Sequence, residues 1–271
     1  MTTAAGDPRL RVPLALTAVT VLAQIAYPLA PDSWLGRLSV LTVIAFAAAS
    51  VTHAGAVRGW SWTLRLVLVV VPGAFLAEVV GVATGFPFGH YDYSHRLGPT
   101  VAGVPLLVPL AWLMMAYPCL LMARLLISRF TEIDGSARIL ATGLVAGGAL
   151  AAWDVFLDPQ MVAAGNWTWR HSGPGLPGVA AVPLTNLGGW LLAAVLLMTA
   201  ADAVLSHAGD TRSAIPPAVV VPAVLLTWTW LGSVVGNAVF FDRPAVALWG
   251  GLLLGAFVAP YLVVVRERWP T

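Results

Sequence analysis

The sequence has little charge, since only 10% of its 271 residues are charged while 59% are hydrophobic. A soluble domain carries about 25% charged residues, because its surface must face water. The 14 basic and 12 acidic residues of this chain cannot cover a particle of its size. The shortage excludes an ordinary soluble protein and predicts that most of the surface faces lipid.

Lysine is absent, and the net charge of +2 comes from 14 arginines that are scattered singly along the chain. Nucleic-acid-binding domains concentrate their basic residues in a patch or stripe, so we expect no nucleic-acid partner. Cys119 is the one cysteine, which excludes an intrachain disulfide and a thiolate metal site. We interpret Cys119 as a small apolar filler in a helix.

Metal-ligand and phosphate-binding patterns are also lacking. His90 and His95 flank Asp92 in one predicted loop and His171 lies in another, but no histidine pair has the spacing of two ligands on one helix face. The sequence contains no nucleophile elbow and no glycine-rich nucleotide loop. It therefore predicts neither a metal nor an organic cofactor.

Long apolar runs dominate what is present, and each has about the length that a membrane-spanning helix needs. The eight runs cover residues 12–30, 36–55, 64–84, 104–127, 137–157, 182–205, 217–239 and 245–265. The first run follows Arg9 and Arg11 as in a secretory signal, but its length and the runs that follow favour a retained span. We predict an all-α membrane protein with about eight transmembrane helices, forming one multi-pass domain over residues 1–271.

The arginines predict the orientation of these spans, because cytoplasmic loops of membrane proteins are enriched in basic residues. An even number of spans places both termini on the same side. With the N-terminus inside, ten arginines lie at cytoplasmic ends, namely Arg9, Arg11, Arg58, Arg65, Arg124, Arg129, Arg138, Arg212, Arg266 and Arg268. The outer loops hold four, namely Arg37, Arg96, Arg170 and Arg243. We therefore expect a plasma-membrane protein with both termini in the cytoplasm.

Polar residues within the predicted spans converge on the outer side. Glu78 is about 14 residues into the third span, which places it about 21 Å from the inner edge of a hydrocarbon core about 30 Å thick. Other polar residues near outer ends of spans are Asp154, Asp158, Asn186 and Asn237. The two longest connections, 85–103 and 158–181, are outer loops as well. This one-sided polarity predicts a site near the outer surface.

An internal repeat relates residues about 64–127 to residues about 137–205. An offset of 76 residues aligns Glu78, Gly89, His90, Tyr91 and Tyr93 with Asp154, Gly165, Asn166, Trp167 and Trp169. After two extra residues, Val104-Pro105-Leu106 and Trp112 match Val182-Pro183-Leu184 and Trp190. We interpret the match as a duplicated helix–loop–helix unit with a pseudo-two-fold axis along the membrane normal. Chance similarity among the many prolines and tryptophans is the alternative.

Carboxyl groups inside a span are costly, so Glu78 and Asp154 are candidates for a functional role. A low dielectric disfavours the charged form of a carboxyl, and a group that keeps its proton can act as a general acid. Protonating an isolated alkene produces a carbocation, which electron-rich aromatic rings stabilise. Each residue type also has a structural explanation. Glu78 and Asp154 could snorkel to the interface or pair with an arginine, and Asp158 could open a turn with Pro159. The aromatic residues could anchor the protein at the membrane interface.

Separated motifs in this region resemble a known family. They are Glu78 through Tyr93 with Gly-Phe-Pro-Phe-Gly-His-Tyr-Asp-Tyr at its end, Leu97-Gly98, Gly103-Val-Pro105, Trp112, Asp154-Val-Phe-Leu-Asp-Pro159, Trp167-Thr-Trp169, Val182-Pro183 and Asn186-Leu-Gly-Gly-Trp190. Together the motifs resemble the integral-membrane carotenoid hydratases, including the bisanhydrobacterioruberin hydratase and carotenoid 1'-hydroxylase types. The resemblance covers about residues 75–192, and Gly178 through Pro183 departs from the aromatic-Gly-Val-Pro run expected before the sixth span.

The resemblance implies cofactor-independent addition of water across a terminal double bond of a linear C40 or C50 carotenoid, leaving a tertiary alcohol. A member of such a family lies in the lipid bilayer, and other enzymes of carotenoid biosynthesis are its expected partners. By chemical inference, Glu78 or Asp154 donates the proton, and Asp92, Asp158, Asn166 or Asn186 positions the water. Residues expected to bind the substrate or shield the cation are His90, Tyr91, Tyr93, Trp112, Trp167, Trp169 and Trp190.

Three other functions remain open from the residues. A carotenoid cyclase or isomerase would begin with the same protonation but exclude water. A small-solute transporter would place its acids near the midplane, within reach of both sides. A pigment scaffold would bind a carotenoid and release it unaltered.

Overall fold

A computed structural model describes residues 7–170, 173–179, 181–207 and 217–268. The long helices in these residues are α1 Arg11–Ala26, α2 Asp32–Arg58, α3 Trp60–Thr84, α4 Leu107–Phe130, α5 Gly135–Ala163, α6 Leu184–His207, α7 Pro217–Val235 and α8 Pro244–Arg268. With the short helical turns that extend α1 and α7, all eight are long and apolar enough to cross a membrane. The predicted all-α, eight-span membrane fold is confirmed.

Four short strands lie in the connections after α3 and α5. They are β1 Tyr91–Tyr93, β2 Thr100–Val101, β3 Val104–Pro105 and β4 Trp167–Trp169. β2 and β3 form a hairpin within one connection, whereas β1 pairs antiparallel with β4 of the other connection. This β1–β4 ribbon joins the two predicted repeat units at one end of the helix bundle.

α4 lies at the centre of the bundle and is its most buried helix. It packs against α2, α3, α5, α7 and α8, and its sequence is apolar around most of its circumference, as expected of a helix surrounded by protein. α5 is the second most buried helix and approaches α6 closely. A Cβ atom on Gly147 would lie 2.5 Å from the backbone nitrogen of Val195, so glycine is required for this contact.

Two predicted boundaries differ from the structure. Asp158-Pro159 does not open a turn, because α5 continues through Pro159 to Ala163. The burial of Asp158 and its contacts with neighbouring elements hold this segment helical despite the missing proline N–H. The fourth span was predicted to begin at residue 104, but Val104 and Pro105 form β3 and α4 begins at Leu107.

The end of the bundle opposite the ribbon carries a buried ion cluster. Asp202 of α6 accepts a hydrogen bond from Arg124 Nε of α4 at 2.6 Å and lies 3.4 Å from Arg138 Nη1 of α5. Arg138 also donates to Ser206 at 2.7 Å. One carboxylate therefore connects three helices, and the buried negative charge is compensated by two cations.

Candidate active site

Glu78 is buried near the end of α3, where only 3% of its surface is exposed. Its Oε2 accepts hydrogen bonds from the Tyr91 hydroxyl at 2.6 Å and the Tyr93 hydroxyl at 2.8 Å. Its Oε1 accepts a third bond from Trp112 Nε1 of α4 at 3.0 Å. Alternate residues of a strand point to the same face, so β1 directs both phenols at this single carboxyl group.

The β1–β4 ribbon brings together equivalent positions of the two repeat units. Tyr91 is opposite Trp169 and Tyr93 is opposite Trp167, with Asp92 facing Thr168 at the centre. If each residue is replaced by its counterpart at the offset of 76 residues, the pair Tyr91–Trp169 becomes the pair Trp167–Tyr93. Two backbone hydrogen bonds correspond in the same way, Ser94 N to Asn166 O at 2.7 Å and Arg170 N to His90 O at 2.9 Å. Such an exchange is expected of two units related by a pseudo-two-fold axis.

A second pair of acids belongs to α5. The Asp154 and Asp158 carboxyl groups are both buried, and they share one hydrogen-bond donor. Asn186 Nδ2 of α6 donates to Asp154 at 3.0 Å and to Asp158 as well, while Trp167 Nε1 donates to Asp158 Oδ1 at 3.0 Å. Asp154 Oδ1 is buried and has no hydrogen-bond partner among the described residues.

The two tryptophans predicted to be equivalent stack on each other between α4 and α6. The rings of Trp112 and Trp190 are 4.1 Å apart and nearly parallel, with an interplanar angle of 6°. Trp153 of α5 contacts the edge of Trp190. Trp112 therefore connects the stack to Glu78 through its indole nitrogen.

These groups line one cavity of about 550 Å³. Nine of the predicted site residues line it, namely Glu78, Tyr91, Tyr93, Trp112, Asp158, Trp167, Trp169, Asn186 and Trp190. Most other lining side chains are apolar, and several are also exposed on the outside of the bundle. Leu29 beyond α1 and Phe240 beyond α7 are examples, so the cavity reaches the surface between these two helices.

Four predicted site residues do not line this cavity. Asp154 lies behind Asp158 beside a second, small cavity of about 20 Å³. Asp92 is exposed and forms an ion pair with Arg170, whose guanidinium lowers the pKa of the Asp92 carboxyl. His90 is exposed. Asn166 is buried, with its side-chain nitrogen 3.3 Å from the sulfur of Met161.

The two tyrosines that contact Glu78, Tyr91 and Tyr93 of β1, have raised pKa values. Burial, followed by the proximity of the Glu78 carboxyl, raises the pKa of both Tyr91 and Tyr93 above the ordinary value of 10.0. Both side chains therefore stay protonated at neutral pH and act as hydrogen-bond donors to Glu78.

Candidate metal ligands are not clustered in the part of the chain that the structure describes, where no group of three or more His, Cys, Asp or Glu residues could hold an ion. His95 is exposed near β1. His171 lies outside the described residues.

α1, α2 and α7 also contribute to the cavity, although sequence reasoning assigned them no role in the site. Gln24, Tyr27, Thr229 and Asn237 are lining residues, and Asn237 had been noted only for its depth. Their signal in the sequence was a polar residue within an apolar run, which is weak because such residues often bond to their own helix.

Comparison with known proteins places the chain in a family. Residues 37–258 match the family described as "Carotenoid biosynthesis protein". The chain belongs to this carotenoid biosynthesis family. The match includes both acid sites, the β1–β4 ribbon and most of α7 and α8, and it confirms the resemblance inferred from the motifs.

A curated relative of this carotenoid biosynthesis protein is the bisanhydrobacterioruberin hydratase of Haloarcula japonica. The two sequences are 32% identical over 136 residues, which is 50% of this chain and 43% of the relative. The aligned part is thus less than half of the relative's length. No solved structure matches the chain.

Proposed function

We propose that this protein adds water across a terminal carbon–carbon double bond of a linear carotenoid, giving a tertiary alcohol. The observation that carries the proposal is the presence of two carboxyl groups, Glu78 and Asp158, in the wall of one aromatic, largely apolar cavity. The family match and the name of the relative support a carotenoid as substrate. The apolar surface between α1 and α7 suits entry from the bilayer.

The Asp154–Asp158 pair is the proposed proton donor, with Asp158 delivering the proton because it faces the cavity. The alkene π electrons form the new C–H bond at the less substituted carbon, and the cation develops on the tertiary carbon. Tyr91, Trp167 and Trp169 present rings to this charge, and each cation–π contact contributes up to about 2 kcal/mol when desolvated.

Water then completes the reaction. A lone pair of the water oxygen forms the C–O bond to the tertiary carbon, and the surplus proton passes to a carboxylate of the site. Glu78 is placed to receive it, since its oxygens face the same cavity as Asp158. Return of this proton from Glu78 to Asp158 restores both acids, so the cycle consumes only the alkene and water and needs no external acid.

Expression of the full chain in a host that makes an acyclic carotenoid tests the proposal. We expect pigments heavier by one water per reacted end, as measured by mass spectrometry of the extracts. An Asp158→Asn variant should lose this product by about 10²-fold or more, the usual contribution of a general acid. Asp32→Asn is the matched control, because Asp32 is an exposed acid that does not line the cavity.

Two outcomes would contradict the proposal. Pigments of unchanged mass from a host whose membranes contain the protein would exclude hydration, and isomeric products would identify a cyclase or isomerase instead. Full activity of Asp158→Asn would reject the assigned donor.

We further propose that the reaction site faces the outer leaflet of the plasma membrane, with both termini cytoplasmic.

A further inference from the structure

α7 presents a line of polar side chains to the cavity. Thr229, Ser233 and Asn237 follow one another at intervals of four residues, which places them on the same face of a helix, and all three line the cavity. Gly232 and Gly236 lie beside them in the wall. This polar face of α7 lies in the same cavity as the acids but belongs to a separate helix.

Two atoms of this face are buried without a partner. Thr229 is 4% exposed and Asn237 is 1% exposed, and neither Thr229 Oγ1 nor Asn237 Oδ1 has a hydrogen-bond partner among the described residues. Asn237 Nδ2 donates to Ser233 O at 2.9 Å, so its amide nitrogen is satisfied within the helix while its oxygen is not. A buried polar atom without a partner costs about 1–3 kcal/mol.

The local backbone supports a functional explanation for Asn237. It lies in a π-helical turn, Gly236–Phe240, that interrupts the end of α7. Such turns are rare and frequently occur at functional sites. The carbonyl oxygens of Gly236 and Asn237 accept bonds from Phe241 N and Arg243 N at 3.0 and 2.8 Å, so these two carbonyl groups are satisfied whereas the Asn237 side-chain oxygen is not.

Hydration requires water inside a cavity whose walls are mostly apolar. A purely apolar cavity remains dry, whereas a buried water usually makes about three hydrogen bonds to polar groups. Asn237 Oδ1 can accept a bond from an O–H group, and the Thr229 hydroxyl can donate or accept one. Eight residues of helix separate the two side chains by about 12 Å, so they bind different oxygens in one row.

We propose that the polar face of α7 binds hydroxyl oxygens in the cavity, with Asn237 and Thr229 as the binding residues. This inference rests on the proposed hydration and deepens it by naming where oxygen is held. The oxygen belongs either to the water that is added or to the alcohol that is produced, since both offer the same O–H chemistry. Without this face, the carbocation loses a proton and returns to an alkene.

Near-isosteric apolar variants assayed in D₂O test the inference. We expect Asn237→Leu and Thr229→Val each to lower alcohol formation by about tenfold or more, the effect of losing one hydrogen bond of the transition state. Deuterium should still enter the recovered alkenes, because protonation does not need the polar face. Thr227→Val is the matched control, since Thr227 does not line the cavity. Mass spectrometry measures both alcohol and deuterium.

The outcomes separate the two sources of oxygen and the two proposals. Less alcohol with retained deuterium incorporation supports a water site. Normal alcohol formation with weaker binding of added alcohol and unchanged binding of alkene supports a product site. Unchanged behaviour in both respects, or joint loss of alcohol and deuterium in a folded variant, overturns the inference. Absence of alcohol and of deuterium uptake with the wild-type protein overturns the proposed function instead.

Discussion

Glu78 depends on donors from two distant parts of the chain, the strand β1 and the helix α4. Trp112 supplies one of the three hydrogen bonds and also stacks on Trp190. A change at Trp112 therefore affects the carboxyl group and the packing between α4 and α6 together. This coupling makes the tryptophan important for the stability of the site, whatever its contact with a substrate.

A Trp112→Phe variant measures this coupling. The substitution removes the indole N–H and part of the stacked ring, so we expect the free energy of unfolding to fall by about 1–3 kcal/mol. Thermal unfolding in detergent provides the measurement. Trp60→Phe is the control, because Trp60 is 64% exposed; equal losses in the two variants would contradict a specific role of the hydrogen bond and the stack.

At the scale of elements, the β1–β4 ribbon unites the loops of the two repeat units and directs Tyr91 and Tyr93 inward. Three residues per strand are too few for a stable hairpin in isolation. The ribbon is held instead by its side chains, which donate from Tyr91 and Tyr93 to Glu78 and from Trp167 to Asp158. The acids and the ribbon therefore stabilise each other.

This mutual dependence predicts sensitivity to alkaline pH. The folded protein raises the pKa of Tyr91 and Tyr93 above 10.0, so unfolded chains release these protons first and stability falls as pH rises above about 10. Thermal unfolding at increasing pH should show the decrease. The Tyr91→Phe and Tyr93→Phe double variant should show a smaller decrease, and an unchanged pH dependence would count against these phenols as its source.

At the scale of the whole molecule, the bundle is polar at both ends but for different reasons. One end holds the ion cluster around Asp202, in which charges are paired between helices. The other end holds the cavity, in which the described residues that donate hydrogen bonds to Glu78 and Asp158 are all neutral. Paired charges suit a structural role, whereas carboxyl groups without a counterion suit proton transfer.

Single cysteines at the two ends of α4 test the orientation of the bundle. Thr100 and Thr131 are both exposed and lie before and after this helix. With a Cys119→Ala background, a membrane-impermeant thiol reagent applied to intact cells should label Thr100→Cys and not Thr131→Cys. The opposite pattern would invert the proposed topology, and labelling of both after lysis controls for accessibility.

Composition and local patterns were sufficient to predict the membrane class, the eight spans, the family and most of the residues around the acids. A membrane span is recognised from the hydropathy of about 20 consecutive residues, so it can be predicted without knowing how the helices pack. The motif from Glu78 to Tyr93 likewise keeps its acid and its phenols within one short stretch. Boundaries were less predictable, as Asp158-Pro159 shows, because tertiary contacts override the local preference of proline.

The arrangement of the site depended on contacts between segments far apart in the chain. Asp158 lines the large cavity and Asp154 the small one, while Asp92 pairs with Arg170 at the surface. The spacing of these residues in the sequence predicts neither arrangement. Asn237 and Thr229 enter the site because α7 packs beside α1, α2 and α4. A hydrophobic pattern specifies that a helix is buried, but the direction in which one polar side chain points follows from packing among helices.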